Sequence, residues 1–367
     1  MPQSILKSLL AATLILSAEA KRCDELDILA GQHVVYSFPS TSQPPDELIN
    51  LTKAGLVGGV ILFGENVDAN TAKAMSALKD AYNASPAPAL LKKKTGKDAR
   101  FFVTTDQEGG MVRRIKTGEP KLSAKQMGAA ADPAAAGKAG GAGAAVSLKE
   151  YQCNSNLAPV LDVFREAGDF TDYFQRSFGN TSQQVVTAAV PFITAQQAAG
   201  VVACGKHFPG LGAASHDANT DLQPVVLNLT LSEIRKVDQA PYVAAIKAGL
   251  EMVMASWAVY PSLDERPAGL SEKWIKGELR SRLRFKGVTV TDALEAGALS
   301  AYGDAGARGV AAAKAGMDML LASGRNVTQG EAVRKAVVQA LKKGQLDRRE
   351  FDEATVRIAG MRSRIVA

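Results

Sequence analysis

Charged and polar residues follow short apolar runs at four places in the sequence, namely Asp106, Arg176, the pair Lys206-His207, and Asp292. Carboxylate, imidazole and ammonium groups can act as nucleophiles, as acid–base groups or as ligand-binding groups. Any one of them alone could be a helix cap or half of a structural ion pair. If the fold brings all four to one rim, packing no longer accounts for them, and we expect a binding or catalytic site there.

The elements that must position these residues are short β-branched or apolar runs that alternate with helical patterns. Near-continuous apolar strands are typical of a parallel sheet covered on both faces. Eight successive β/α units favour a closed barrel over an open sheet. We therefore predict an α/β fold, a single (β/α)8 TIM-type barrel. The predicted strands are 34–38, 57–63, 100–106, 155–160, 201–207, 252–256, 288–292 and 317–322.

Helical patterns fill the segments between these strands. The predicted helices are 69–82, 183–199, 231–248, 272–283 and 309–315. An extra C-terminal helix over 348–365 is expected to pack on the outside of the barrel. The segment 127–146, rich in Ala and Gly, favours a tightly packed or irregular helix, with a flexible linker as the alternative.

In a barrel of this kind the chemistry belongs at the C-terminal ends of the strands. Asp106 ends the third predicted strand, Lys206-His207 end the fifth, and Asp292 ends the seventh. Arg176 lies in the loop after the fourth. The topology therefore predicts that these residues meet at one rim.

Four sequence motifs, in this order along the chain, carry a resemblance to glycoside hydrolase family 3. They are Asp106-x-Glu108-Gly109-Gly110 with Arg114, Arg176-Ser177-Phe178-Gly179, Lys206-His207-Phe208-Pro209-Gly210, and Val290-Thr291-Asp292. Within the family, the chain resembles most the single-barrel β-N-acetylhexosaminidase branch. The resemblance covers nearly all of the chain after residue 20.

The resemblance implies a role for each matching residue. Asp292 matches the nucleophile that forms a covalent glycosyl-enzyme, so the expected stereochemistry is retention. The positions that match sugar-binding residues are Asp106, Arg114, Arg176, Lys206 and His207. A fixed carboxylate and cationic donors can bind neighbouring hydroxyls in one orientation, and a carboxylate below the ring stabilises an oxocarbenium-like transition state. Glu108 is expected to hold a turn.

The loop after the fifth strand departs from the family pattern. The acid–base dyad of this branch is Asp-x-His; its Asp matches Asp217, but its His position holds Asn219, which cannot carry a proton. His216, beside Asp217, could act from the same loop instead. Asp217 or Asp221 acting directly is a further alternative. In the remaining alternative the chain binds sugar without hydrolysing it.

Three hypotheses follow for the function. The first is a secreted retaining exo-glycosidase for terminal β-N-acetylglucosaminides or related β-glycosides, with a β-glucosidase less favoured. The second is a sugar-binding pseudoenzyme on the same barrel. The third is a lyase or aldolase with Lys206 as a Schiff base, although no apolar pocket is evident that would lower the pKa of Lys206.

Composition excludes several other classes. The chain has 367 residues, 46% hydrophobic and 22% charged, which is unlike a collagen or a disordered chain. A net charge of +6 is mild, and its one basic run, 92–94, lacks interleaved aromatic residues, so no nucleic-acid partner is expected. Three His, three Cys and no phosphate or dinucleotide loop predict no metal and no cofactor. We expect a carbohydrate substrate and a monomer.

The N-terminus predicts export. Lys7, an apolar run over 9–16, and Ala18-Glu19-Ala20 are typical of a signal peptide over 1–20, which leaves a barrel domain over 21–367. The run is too short to span a bilayer, so we expect no membrane association after cleavage. Five N-x-Ser/Thr sequons favour a secreted, extracellular glycoprotein; they begin at Asn50, Asn83, Asn180, Asn228 and Asn326.

Three cysteines remain after the predicted cleavage, at Cys23, Cys153 and Cys204. One disulfide and one free thiol are plausible in an oxidising compartment. The sequence leaves the pairing open.

Overall fold

Eight short parallel strands form the centre of the structure, a computed structural model that describes residues 24–365. Each strand pairs in parallel with the next one in the chain, and a parallel bridge between Val290 and Met319 closes the ring. The (β/α)8 barrel predicted from the sequence is confirmed, with shorter strands. They are β1 (Val34–Tyr36), β2 (Gly59–Ile61), β3 (Phe102–Thr105), β4 (Ser155–Asn156), β5 (Val202–Phe208), β6 (Met252–Ala255), β7 (Val288–Thr291) and β8 (Leu320–Leu321).

Two antiparallel hairpins and a set of helices surround this ring. The hairpins are Gln107–Gly109 with Val112–Arg113, and Val259–Tyr260 with Asp264–Pro267. The α-helices are Glu25–Gly31, Asp46–Lys53, Thr71–Asn83, Ala87–Thr95, Ala124–Gly128, Pro133–Glu150, Phe170–Tyr173, Ser182–Ala198, Leu231–Glu233, Ala240–Lys247, Ala305–Ala315, Val327–Lys342 and Arg348–Arg362. Two segments are π-helical, Ile234–Asp238 and Lys273–Arg282, and three are 3₁₀-helical, Gly64–Asn66, Ala268–Leu270 and Gly297–Tyr302.

The helix predicted over 231–248 is broken, and Pro241 is the reason. Proline has no N–H, so the carbonyl of Val237 loses its partner four residues along the chain. That carbonyl instead accepts a hydrogen bond from the Ser182 hydroxyl, at 2.8 Å. A π-helical turn precedes the break, and a new helix begins at Ala240.

The Ala- and Gly-rich segment is a helix, Pro133–Glu150, packed closely on the helix Ser182–Ala198. A Cβ atom at Gly137 would lie 2.0 Å from the carbonyl oxygen of Ala188. A Cβ atom at Gly141 would lie 2.1 Å from that of Phe192. The glycines let the two backbones touch, so the tight-packing interpretation is confirmed and the flexible linker is wrong.

The C-terminal helix corrects the prediction that it packs on the outside of the barrel. Its residues Ile358 and Met361, with Ile365 just beyond, pack against the side chains that point into the barrel, among them Phe102 and Val288. Because these strand residues lie at the N-terminal ends of β3 and β7, the helix closes that end of the ring. The opposite end is left for a ligand.

The predicted signal peptide and Cys23 lie outside the described residues. Cys153 and Cys204 are buried free thiols, and burial raises the pKa of each to about 12. Among residues 24–365, no helix is long and apolar enough to cross a membrane.

Replacing Gly141 by Ala tests the close helix contact. We expect Gly141→Ala to lower the free energy of unfolding by about 1–3 kcal/mol, because its methyl group overlaps the backbone of Phe192. Urea denaturation followed by circular dichroism measures the change. Gly360 is the matched control, since it lies in a helix and a Cβ atom there would have nothing within 4 Å. Gly360→Ala should raise stability by about 0.5–1 kcal/mol, and equal effects of the two substitutions would contradict this account.

Candidate functional site

A cavity of about 380 Å³ opens at the C-terminal ends of the strands. Its volume is that of a small-ligand site. Six of the residues predicted from the sequence line it together; they are Asp106, Arg114, Arg176, Lys206, His207 and Asp292. The expectation that the fold brings these residues to one rim is met.

Four charged side chains at this rim pair with one another, and we name them the rim cluster: Asp106, Glu108, Arg176 and Lys206. The Lys206 Nζ lies 2.8 Å from Asp106 Oδ1 and 2.7 Å from Glu108 Oε1. Arg176 donates two hydrogen bonds to Glu108, from Nε and Nη2, each 2.9 Å long. Glu108 therefore joins the two cations, whereas the sequence analysis expected it to hold a turn.

Ion pairing keeps the rim cluster charged in spite of its burial. Burial raises the pKa of Asp106, but Lys206 and Arg114 outweigh it and hold the pKa well below its usual value. Burial also raises the pKa of Glu108, yet Arg176 and Lys206 bring it down to about 2. Burial lowers the pKa of Lys206, and the two carboxylates more than reverse this. A Schiff-base lysine needs a neutral amine, so the charged state of Lys206 argues against the lyase or aldolase hypothesis.

A tight hairpin turn presents Asp106 and Glu108. Gly109 and Gly110 both have positive φ, 111° and 53°, and a Cβ atom at Gly109 would lie 2.2 Å from the carbonyl oxygen of Leu122. The buried Gln107 accepts the N–H of Ile115 at 3.0 Å and so ties the two strands of the hairpin together. The two glycines of the motif are therefore required by the backbone.

His207 is oriented by Asp162, which the sequence analysis did not single out. The Asp162 Oδ2 lies 2.7 Å from His207 Nδ1, and Oδ1 accepts the backbone N–H groups of His207 and Leu211. Nδ1 therefore donates to the carboxylate, and Nε2 is free to face the cavity, 3.4 Å from Arg176 Nη2. No pattern in the sequence indicates this role for Asp162, because Asp162 follows β4 and its partner His207 lies on β5.

Asp292 directly follows β7 and is half-buried at the cavity. Burial raises the pKa of its carboxyl group, and the charge of Asp221 raises it further, while His207 lowers it. Its Oδ1 accepts one hydrogen bond, from the backbone N–H of Ala293 at 2.8 Å. No other group in the described part of the chain donates a hydrogen bond to this carboxylate, so its second oxygen is available to a ligand. Trp257 Nε1 donates to the Ala293 carbonyl at 2.8 Å and so holds the segment.

His216 and Asp217 are not among the cavity-lining residues. They pair with each other at 2.7 Å, and the His216 ring lies edge-on to Tyr173 with centroids 4.2 Å apart. The side chains are 49% and 92% exposed. From the same loop it is Asn219, Thr220 and Asp221 that line the cavity. A catalytic role for His216 and Asp217 remains a prediction, and it requires this loop to move.

A second cavity, of about 280 Å³, lies at the other end of the barrel, beside His33 and Asp318. Its polar groups already have partners. Asp318 pairs with Arg280 at 2.6 Å and with Arg357 at 2.8 Å. His33 contacts the Asp318 carbonyl and the Thr355 hydroxyl, and burial lowers its pKa to about 4. These groups stabilise the fold and leave the C-terminal rim as the candidate site.

The chain is similar to proteins of one known family. Residues 23–361 match the family model described as the glycosyl hydrolase family 3 N terminal domain. An uncharacterized secreted glycosyl hydrolase of Arthroderma benhamiae is 49% identical over 363 residues, 99% of this chain and 100% of that protein. A beta-hexosaminidase of Methylococcus capsulatus is 33% identical over 273 residues, 72% of this chain and 75% of that protein.

Solved structures share the fold as well. A glycoside hydrolase family 3 beta-N-acetylglucosaminidase from Paenibacillus sp. superposes with a TM-score of 0.84 at 28% sequence identity. The match covers 92% of this chain, and this chain spans 62% of the length of that one.

Substitution of Glu108 tests how much the rim cluster stabilises the fold. Glu108→Gln leaves Lys206 and Arg176 buried with only one nearby carboxylate in the rim cluster, so we expect the free energy of unfolding to fall by about 3 kcal/mol or more. Chemical denaturation of both proteins measures the change. Glu353→Gln is the matched control, because Glu353 pairs with Arg349 on the surface at 3.0 Å; it should have little effect. Equal losses in the two variants would show that the rim cluster adds nothing beyond a surface pair.

Proposed function

Because this chain belongs to glycosyl hydrolase family 3 and is a β-N-acetylhexosaminidase-like glycosidase, we propose that it hydrolyses terminal β-N-acetylglucosaminides, or closely related β-glycosides, with retention of configuration. The observation that carries this proposal is Asp292, a half-buried carboxylate with one oxygen available, in the cavity that Asp106, Arg176 and Lys206 of the rim cluster line. The relatives named beta-hexosaminidase and beta-N-acetylglucosaminidase support the choice of sugar.

The rim cluster would bind the sugar before any bond changes. Asp106 and the Nε2 of His207 accept hydroxyl hydrogens, while Lys206, Arg114 and Arg176 donate to hydroxyl oxygens. Charge-assisted hydrogen bonds of this kind are short and directional, so they fix the ring in one orientation. Because the donors are already held by ion pairs, little reorganisation accompanies binding.

Asp292 would then act as the nucleophile. Its carboxylate attacks the anomeric carbon as the glycosidic bond breaks, and it stabilises the oxocarbenium-like transition state from one face of the ring. Burial raises the pKa of the Asp292 carboxyl, which means that its carboxylate is more basic than that of an exposed aspartate. Water then attacks the same carbon and releases Asp292, and two displacements give retention.

The closed barrel supports exo action. The cavity ends on the packed core of the barrel, because Leu157, Met254 and Leu321 belong both to that core and to the cavity lining, so the site is a pocket without an exit through the barrel. A pocket of this shape admits the end of a glycan chain. The proposed product is therefore a single sugar.

A sugar-binding pseudoenzyme is the second candidate. The observation that favours it is Asn219, which lines the cavity at the position where the family dyad has its histidine. Measured turnover separates the two candidates, because both bind the sugar and only one hydrolyses it.

We also propose that the protein is secreted and glycosylated. The 49% identical Arthroderma benhamiae protein is described as secreted. The asparagines of all five sequons are exposed on the described structure. These observations support the extracellular location that the N-terminal segment predicts.

The first test is hydrolysis of 4-nitrophenyl N-acetyl-β-glucosaminide. We expect wild-type turnover, and Asp292→Ala should lower kcat/KM by about 10³-fold or more because the covalent step is lost. Asp98→Asn, on the exposed surface, is the matched control and should leave kcat/KM unchanged. NMR of the first-formed sugar anomer should show the β form.

Two results would contradict the proposal. A variant Asp292→Ala with near-wild-type turnover would remove Asp292 from the nucleophile role. A wild type that binds N-acetylglucosamine but cleaves none of several aryl β-glycosides would establish the pseudoenzyme.

Glycan occupancy tests the extracellular location. Asn326 caps the helix Val327–Lys342, since its Oδ1 accepts the Gln329 N–H and its Nδ2 donates to the Gly324 carbonyl, both at 2.8 Å. We expect protein secreted from a eukaryotic host to carry glycans at Asn50, Asn83, Asn180 or Asn228 and none at Asn326. Peptide mass spectrometry before and after enzymatic deglycosylation measures this. A glycan at Asn326, or none at any site, would contradict the prediction.

A further inference from the structure

We propose that Asp221 is the acid–base residue of this site, in place of a histidine-containing dyad. The inference rests on the proposed hydrolysis and identifies the group that handles the proton. It starts from the four carboxylates that line the cavity within the described residues, which are Asp106, Asp221, Asp292 and Glu295.

Three of these carboxylates already have hydrogen-bonding partners or another proposed role. Asp106 is held by Lys206 at 2.8 Å and by Arg114 at 3.5 Å. Glu295 accepts the Ser323 hydroxyl at 2.6 Å and the Gln329 side-chain amide at 3.0 Å. Asp292 is the proposed nucleophile.

Asp221 is the remaining one, and its carboxylate oxygens make no hydrogen bond or ion pair with any residue in the range 24–365. Asp221 lines the cavity and is exposed to solvent, so its carboxyl group can contact a bound ligand. Its charge reaches Asp292, where it raises the pKa of that carboxyl. Retaining glycosidases use two carboxyl groups, one on each side of the bond that breaks, and Asp221 with Asp292 is the pair of cavity-lining carboxyl groups without a charged partner or side-chain donor among residues 24–365.

The backbone fixes Asp221 relative to Asp292. Gly297, which follows β7 and Asp292 in the chain, donates its N–H to the Asp221 carbonyl at 2.8 Å, and Ala298 donates to the Thr220 carbonyl at 3.0 Å. A Cβ atom at Gly297 would lie 2.2 Å from the Leu222 carbonyl oxygen, so only glycine allows this approach. The loop that carries Asp221 is thus attached to the segment that follows the nucleophile.

Asn219 has a structural role that a histidine would not fill in the same way. Its Oδ1 accepts the backbone N–H of Asp221 at 2.9 Å, which forms a local turn. Asn219 stands where the family dyad has its histidine, and its turn holds Asp221, two residues later, at the cavity wall. His216 and Asp217, by contrast, are paired with each other and do not line the cavity.

The proton balance of the two steps is complete. In the first, protonated Asp221 gives its proton to the glycosidic oxygen as the bond from the anomeric carbon to that oxygen breaks and the bond to Asp292 forms. The alcohol leaves neutral. In the second, the Asp221 carboxylate takes a proton from the attacking water, a bond forms from water oxygen to the anomeric carbon, and Asp292 leaves as carboxylate.

The test compares Asp221→Asn, His216→Ala and Asp217→Asn on two N-acetyl-β-glucosaminides. The 2,4-dinitrophenyl leaving group needs no protonation, and the methyl leaving group does. Asp221→Asn should lower kcat/KM by about 10²–10⁴-fold on the methyl glycoside and far less on the dinitrophenyl glycoside. His216→Ala and Asp217→Asn should stay within about threefold of wild type on both substrates. Thermal melting checks that all three variants fold.

Azide gives a second readout that a merely structural role would not move. With Asp221→Ala and the dinitrophenyl glycoside, azide needs no general base, so it should raise the rate and give the β-glycosyl azide. The same reagent should leave wild type unchanged.

The outcomes separate this assignment from the proposed function. If Asp221→Asn retains the wild-type rate on the methyl glycoside, the assignment is wrong and the proposed function stands. If His216→Ala shows the leaving-group-dependent loss, a dyad of His216 and Asp217 replaces Asp221. If wild type cleaves neither glycoside, both the proposed function and the assignment are overturned.

Discussion

The buried ammonium of Lys206 is the constraint on which the rest of this site depends. A buried charge is costly unless it is paired, and Lys206, whose side chain is 2% exposed, lies between Asp106 and Glu108. Those carboxylates follow β3, while Lys206 belongs to β5 and Arg176 to the loop between β4 and β5. The ion pairs can form only when β3, β4 and β5 have assembled side by side. Folding and assembly of the sugar-binding donors are therefore one event.

One end of the barrel stabilises the fold, and the other end forms the candidate site. At the N-terminal end, Ile358 and Met361 fill the opening, and Asp318 satisfies two arginines, so that end stabilises the fold. At the C-terminal end, charged groups surround a cavity and Asp292 retains an oxygen without a protein partner. Burial of Asp292 beside the cavity raises the pKa of its carboxyl. The end that the last helix covers therefore serves stability, and the open end carries the reactive groups.

The sequence predicted the features that depend on local pattern or chain order. Apolar runs indicated all eight strands, and the residues at their ends supplied Asp106, Lys206, His207 and Asp292 of the cavity lining. Arg114 and Arg176 were expected from the family motifs. Features that depend on contacts between distant segments were missed. Glu108 and Asp162 act through partners on other strands, and no spacing in the sequence reveals such pairs. The last helix was misplaced because its apolar face fits either the outside or the end of a barrel.

The loop after β5 is a second place where contacts between distant segments, which the sequence does not reveal, decide the arrangement of the site. His216 is the attractive residue in the sequence, since it is a histidine beside an aspartate in the loop where the family has its dyad. In the structure Asn219 forms a turn and the backbone of Asp221 is held by Gly297, so a different side chain reaches the cavity. Which residue of a loop faces a ligand is decided by the backbone contacts of that loop.

The most direct test of the central claim is to identify the covalent intermediate. A 2,4-dinitrophenyl N-acetyl-β-glucosaminide should be mixed with the enzyme, quenched in acid within the first turnovers, digested, and its peptides weighed. We predict an added N-acetylglucosaminyl group on the peptide that contains Asp292, absent in Asp292→Asn. A burst of dinitrophenol with the sugar on another residue, or steady turnover that gives the α-anomer as first product, would contradict the account.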